Sequence, residues 1–112
     1  MNKNFFTKSY LHIKKEERME IILSNVPFVM GTQKTVIWRD VSSNILTWDM
    51  VFDYVMEISG IPRRYLSIPD YRGKYKYGRE RDLGKIDINR YRFVNRNGTY
   101  ENSALLTINL QY

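Results

Sequence analysis

The alternation of apolar and polar positions divides the chain into one helical segment and several strand-like segments. In the helical segment, apolar residues recur at helical spacing on a single stripe: Trp48, Val51, Val55 and Ile58. Thr47 is able to cap the helix through its hydroxyl group, and Gly60 and Pro62 end it. The pattern predicts one amphipathic helix over about 47–59. Because an isolated helix of this length is marginal in water, strands have to cover its apolar stripe.

Strand-like segments lie on both sides of this helix. They are residues 20–26, 34–41, 65–68, 91–94 and 104–110. Gly31 supplies the turn between the first two, and the Asn97-Gly98 pair favours a hairpin turn before the last. The last segment alternates apolar and polar residues, as half-buried strands do. The element order predicts an α+β fold in which a mixed sheet of four to five strands packs on one central helix.

The length of the chain suits a single domain with one core. It has 112 residues, of which 43% are hydrophobic. The charged run 14–18 marks a boundary, so we predict an N-terminal extension over residues 1–18 and a domain over residues 19–112. The chain contains no cysteine, which excludes disulfides and favours an intracellular setting, cytoplasmic or nuclear. The first fifteen residues are basic and lack acids, so a mitochondrial presequence is the alternative.

The positive charge is concentrated in one third of the chain. The net charge is +6, and residues 63–96 hold eleven basic and four acidic residues, which gives +7 there and −1 elsewhere. Such a field attracts an acidic protein face, a nucleic acid or an anionic membrane. No apolar run approaches the ~18 residues of a membrane-spanning helix, so no membrane span is expected.

A basic loop over residues 70–82 is the sharpest binding candidate. Cations alternate with tyrosines there, so an extended backbone would place charges on one side and rings on the other. Such a surface suits either an acidic protein or phosphates beside stacked bases. The alternative is a solvated loop whose tyrosines lean on the domain edge. The predicted binding residues are Arg63, Arg64, Arg72, Lys74, Tyr75, Lys76, Tyr77, Arg79 and Arg81.

The sequence carries no arrangement typical of an enzyme. Acidic residues at helical spacing, Asp49, Asp53 and Glu57, are expected to face water. His12 has no evident base or nucleophile partner. Trp38 and Trp48 are expected to pack in the core. We predict no catalytic residue, no metal site and no cofactor.

Five segments, taken in order, resemble ubiquitin-like proteins. Residues 19–22 and 34–37 are similar to the first two strands of that family. Residues 47–61 are similar to its central helix with the Gly-Ile-Pro ending, 82–88 to the turn that follows, and 103–110 to its closing strand. The resemblance implies a ubiquitin-like β-grasp.

The chain departs from the conjugated members of that family. They end in a flexible Gly-Gly tail, whereas this sequence stops at residues 109–112 with Asn-Leu-Gln-Tyr. The resemblance therefore implies a divergent, non-conjugating member that works noncovalently. The family's apolar recognition patch is largely missing, and only the turn after the first strand, at Phe28 and Met30, is expected to offer apolar contact.

Three functional hypotheses follow. The first is a noncovalent protein–protein interaction module, an adaptor, mimic or assembly subunit, whose basic loop contacts an acidic partner. The second is an RNA-associated protein, such as a ribosomal or ribonucleoprotein component, that binds phosphates through residues 63–96. The third is a small inhibitor encoded by a virus or another parasite. The sequence leaves the oligomeric state open.

Overall fold

The computed structural model of the protein describes residues 18–94 and 100–111. Within these residues the chain forms seven strands, one α-helix and two short 3-10 helices. The strands are β1 (Arg18–Pro27), β2 (Gln33–Ser42), β3 (Leu66–Pro69), β4 (Tyr75–Tyr77), β5 (Arg92–Val94), β6 (Tyr100–Thr107) and β7 (Asn109–Leu110). The helix α1 spans Trp48–Ser59, and the 3-10 helices span Arg63–Tyr65 and Ile88–Tyr91. The predicted α+β class is confirmed.

The strands form two sheets. The larger has the order β2-β1-β6-β5, and the smaller has the order β4-β3-β7. β1 runs parallel to β6, while the other paired strands are antiparallel. A single residue, Ile108, separates β6 from β7, and its backbone N–H donates to Ser24 O at 2.9 Å. The closing strand therefore links the two sheets, where the sequence predicted one sheet of four to five strands.

Helix α1 begins and ends as the sequence predicts. The Thr47 hydroxyl oxygen accepts a hydrogen bond from the Met50 backbone N–H at 3.1 Å, and Gly60 takes a left-handed conformation with φ of 77°. Glycine adopts that conformation without steric cost, so the chain turns away there. The residues that the helix buries are Trp48, Val51, Phe52, Val55 and Ser59.

One hydrophobic core joins the helix to both sheets. Its strand residues include Ile21 and Leu23 of β1, and they lie beside Ala104 and Leu106 of the parallel strand β6. Leu66 and Ile68 of β3, with Leu46, Ile86 and Ile88 of the connecting segments, complete the same cluster. Trp38 stacks on Tyr54 of the helix, with ring centroids 4.2 Å apart and planes 4° apart. Trp48 is buried and Trp38 is half-buried against the same core, so both tryptophans serve packing, as predicted.

Two irregularities interrupt the pairing of β1 with β2. The register shifts between Met19 and Ile21 and again between Leu23 and Val26. Asp40 and Asn25 lie at these shifts with φ of 59°, and such bulges increase the local twist of a strand pair. Arg39 of β2 pairs with Glu20 of β1 across the first shift.

Two predicted features fall outside the described residues. The N-terminal extension lies there except for Arg18, which begins β1. The predicted hairpin turn at Asn97-Gly98 lies there too. Within residues 18–94 and 100–111, no helix has both the length and the apolar character needed to cross a membrane.

Candidate functional site

Arg63 lies at the centre of an ion-pair network and is itself only 5% exposed. Its guanidinium donates to Asp49 Oδ1 at 2.7 Å and to Asp53 Oδ1 at 2.8 Å, both on helix α1. It also donates to the backbone oxygens of Gly78 at 2.6 Å and Glu80 at 2.7 Å. The side chain therefore ties the helix to the segment after β4.

The ion pair between Arg63 and Asp49 holds both residues in their charged forms. The hydrogen bond from Arg63 lowers the pKa of the Asp49 carboxyl below its ordinary value of 3.8, and this outweighs the opposing effect of burial. Burial alone would lower the pKa of Arg63, but its hydrogen bonds to Asp49 and Asp53 raise it.

Two expectations about these residues are corrected by the network. Arg63 serves the fold instead of an exposed binding surface, and Asp49 and Asp53 bind it instead of simply facing water, whereas Glu57 is exposed as expected.

The predicted basic loop is a β-hairpin at its start. β3 and β4 pair in antiparallel register, with Ser67 opposite Tyr77 and Pro69 opposite Tyr75. Asp70 closes the turn, because its carboxylate accepts the backbone N–H groups of Arg72 at 2.8 Å and Lys74 at 3.0 Å. The start of the segment is thus a two-stranded hairpin instead of a loop, and residues 78–82 continue as turn and irregular backbone.

Three exposed arginines stack on tyrosine rings. The guanidinium of Arg64 lies 4.6 Å from the centroid of Tyr65, that of Arg72 lies 5.3 Å from Tyr71, and that of Arg79 lies 4.3 Å from Tyr77. In the part of the chain that the structure describes, no carboxylate forms an ion pair with these three arginines or with Lys74. Stacking orders a guanidinium while its charge stays available. The result is a positive surface on the β3–β4 hairpin and its flanks.

The alternation expected of this segment holds over β4. Tyr75 and Tyr77 lie on one face, with ring centroids 6.3 Å apart and planes 30° apart. Lys76 lies on the other face, with its ammonium 5.9 Å from the Trp48 ring centroid. The hairpin thus presents rings on one side and places a cation beside the helix on the other.

Three predicted contact residues remain: Arg81, which follows the hairpin, and Phe28 and Met30, which lie on a separate turn. Arg81 is exposed and lies 3.7 Å from Asp53, at the rim of the Arg63 network. Met30 is 88% exposed, whereas Phe28 is half-buried beneath Lys34, whose ammonium lies 5.2 Å from the ring centroid. These two residues belong to the turn after β1 and not to the hairpin surface.

Two residues beside the hairpin, Tyr91 and Lys85, are not among the predicted binding residues. Tyr91 accepts the Tyr71 backbone N–H at 2.9 Å, and its ring packs edge-on against Trp48 with centroids 6.1 Å apart. Lys85 forms an isolated bridge with Thr47. Their positions along the chain carry no local signal, since the fold alone brings residues 47–48, 71, 85 and 91 together.

Comparison with protein-family models gives no match, and comparison with curated proteins finds no similar sequence. The geometry and charge of the surface therefore carry the functional inference.

Proposed function

We propose that this protein is a noncovalent interaction module that contacts an acidic protein partner through the β3–β4 hairpin. The observation that carries the proposal is the set of stacked, exposed cations Arg64, Arg72 and Arg79 together with exposed Lys74. Ordered side chains lose less conformational entropy on binding than free ones do. A partner with an acidic face would meet a positive surface that is already arranged.

We further propose a ubiquitin-like β-grasp as the scaffold of this module. The arrangement of strands supports it. β1 lies between β2 and the parallel β6, and β7, which follows β6, pairs with β3, which in turn pairs with β4. One helix, capped by Thr47 and ended at Gly60, covers the core. A rigid scaffold of this kind is able to present a short hairpin as a contact site.

A binding experiment with a matched control tests the function. The double variant Arg72→Glu/Lys74→Glu should bind a poly-glutamate peptide about tenfold or more weakly than the wild type, since it places like charges against the ligand. Lys34→Glu/Arg39→Glu is the control, because it makes the same two charge reversals on β2. Equal loss in both proteins would mean that net charge alone drives binding, and the hairpin assignment would then be wrong.

Single-stranded RNA is the second candidate, and one observation favours it. Tyr75 and Tyr77 lie side by side on one face of β4, and Tyr75 is 46% exposed. Aromatic rings on a sheet face beside cations are a common platform for unpaired bases. Tyr75→Ala should then weaken binding of a uridine oligonucleotide and leave poly-glutamate binding unchanged. RNA binding should also fall steeply as the salt concentration rises, and no RNA binding at low salt would exclude this candidate.

A further inference from the structure

A small cleft opens where the hairpin turn, the N-terminal end of helix α1 and the second 3-10 helix meet. Its volume is about 160 Å³, and its lining residues are Trp48, Asp70, Tyr71, Lys76, Lys85, Asp87 and Tyr91. Pockets for whole small molecules usually measure ~300–1,000 Å³. This cleft is therefore suited to one small chemical group of a larger ligand.

Donors from three separate elements converge on the cleft. Lys76 comes from β4, Lys85 from the segment paired with Thr47, and Tyr91 from the second 3-10 helix. The Tyr91 oxygen accepts the Tyr71 backbone N–H at 2.9 Å, and within the described residues its own hydroxyl proton has no acceptor. Burial raises the pKa of Tyr91 above 10.0, so the hydroxyl keeps that proton and is able to donate it.

The two carboxylates in the lining already have partners. Asp70 accepts backbone N–H groups of the hairpin turn from Arg72 and Lys74. Asp87 pairs with Arg90 at 3.4 Å. Within residues 18–94 and 100–111, neither Lys76 nor Lys85 pairs with a carboxylate, so both ammonium groups are available to an anion.

Two further cations stand at the rim. The guanidinium groups of Arg72 and Arg90 lie 5.3 and 4.9 Å from the centroid of the Tyr71 ring, which is itself 45% exposed. An anion that enters the cleft would therefore pass between positive groups. Together, the lining and the rim hold four cations and two acids.

We propose that this cleft binds a phosphomonoester. A phosphomonoester carries about −1.5 to −2 charges at neutral pH and presents three acceptor oxygens, which match Lys76, Lys85 and the Tyr91 hydroxyl. A carboxylate offers only two oxygens and one charge. The inference rests on the proposed function, because the phosphoryl group would belong to a phosphorylated side chain of the acidic protein partner.

The two tryptophans provide a reporter and its internal reference. Trp48 lines the cleft, whereas Trp38 stacks on Tyr54 at the β2 side of the helix. In a titration with phenyl phosphate followed by proton–nitrogen NMR, the Trp48 indole signal and the Tyr71 amide should shift to saturation. The Trp38 indole signal should not move. Absence of a saturable shift at Trp48 would overturn the proposal.

Variants identify the donors. Lys76→Met should weaken phenyl phosphate binding about tenfold, as loss of one charge-assisted hydrogen bond does. Tyr91→Phe keeps the ring and removes only the hydroxyl, so it should weaken binding less. Lys34→Met is the matched control, because Lys34 also lies over an aromatic ring, that of Phe28. Equal weakening by Lys34→Met and Lys76→Met would contradict a specific site.

Further ligands define the chemistry. Dimethyl phosphate, a diester with one charge, should bind much more weakly than phenyl phosphate, and equal affinity would point to nucleic-acid phosphates and overturn the monoester assignment. Benzoate, a carboxylate of similar size, should also bind weakly. If poly-glutamate binds the hairpin while phenyl phosphate fails to shift Trp48, the cleft proposal fails and the proposed function stands. If phenyl phosphate binds and neither poly-glutamate nor a phosphorylated acidic peptide does, the proposed function fails.

Discussion

Arg63 Nη2 lies 2.7 Å from Asp49 Oδ1, and this contact joins the first turn of helix α1 to the chain that follows the helix. The arginine is 5% exposed and the aspartate side chain 26% exposed, so the pair is largely withdrawn from water. Asp49 Oδ2 also accepts the Asp82 backbone N–H at 3.0 Å. One carboxylate thus fixes two distant segments against the helix.

Replacing this arginine should destabilise the protein strongly. Arg63→Met should lower the free energy of unfolding by about 2–4 kcal/mol, because two aspartates and two backbone carbonyls lose a charged donor. Urea unfolding followed by circular dichroism measures the change. The neighbouring exposed residue provides the control: Arg64→Met should cost less than about 0.5 kcal/mol. Similar losses in both variants would show that the network contributes little.

The same ion pair should make stability depend on acidity. The Asp49 pKa is lower in the folded protein than its ordinary value of 3.8. The folded state therefore favours the ionised carboxylate, whose contribution is fully present above 3.8 and is lost as the pH falls through the folded-state pKa. In urea unfolding at a series of acidic pH values, Asp49→Asn should reduce this acid-dependent loss. Glu57→Gln, an exposed change on the same helix, should leave the loss as it is in the wild type.

Gly78 should resist substitution for lack of space. A Cβ atom at this position would lie 1.9 Å from the Arg63 backbone oxygen and 3.0 Å from Phe52. Gly78→Ala should therefore cost about 3 kcal/mol or more in unfolding free energy, as overpacking in a fixed backbone does. At Gly73, with φ of +82°, a Cβ atom would meet no heavy atom within 4 Å, so Gly73→Ala should cost only about 1–2 kcal/mol of backbone strain. Thermal unfolding of both variants would show which is less stable. A Gly73→Ala variant less stable than Gly78→Ala would disprove the steric account.

The helix cap should contribute a measurable part of the stability. Thr47→Ala removes the oxygen that accepts the Met50 backbone N–H and should cost about 1 kcal/mol. Thr47→Ser keeps the hydroxyl group and should retain most of that contribution. Chemical unfolding of the two variants makes the comparison. A serine variant as unstable as the alanine variant would mean that the threonine methyl group, and not the hydrogen bond, matters at this position.

The course of the helix could be predicted from the sequence because its determinants are local. Thr47 caps the residues that follow it within one turn, and Gly60 ends the helix where the backbone requires a positive φ. Most strand segments could be predicted for the same reason, since alternation is a property of neighbouring residues, but β4 lies inside the segment predicted as the basic loop. The number of sheets could not, because the single break at Ile108 divides the closing strand between two sets of partners.

Part of the candidate surface could likewise be predicted from local sequence, and part could not. Local composition places the cations and tyrosines of the hairpin together, and the alternation over Tyr75, Lys76 and Tyr77 follows from extended backbone. The role of Arg63 does not follow from composition. Charge along the chain cannot distinguish an arginine that faces water from one that meets Asp49 and Asp53 of a packed helix.

By itself, the sequence determined the central helix, the α+β class and the concentration of positive charge after the helix, because each depends on residues close together in the chain. The tertiary structure decided which of these charged side chains are exposed to solvent and which are buried. It brought Arg63 against the helix and placed Lys76, Lys85 and Tyr91 around one cleft. The physical reason is that ion pairs and clefts form between residues distant in sequence, and their geometry exists only once the strands have paired and the helix has packed on them.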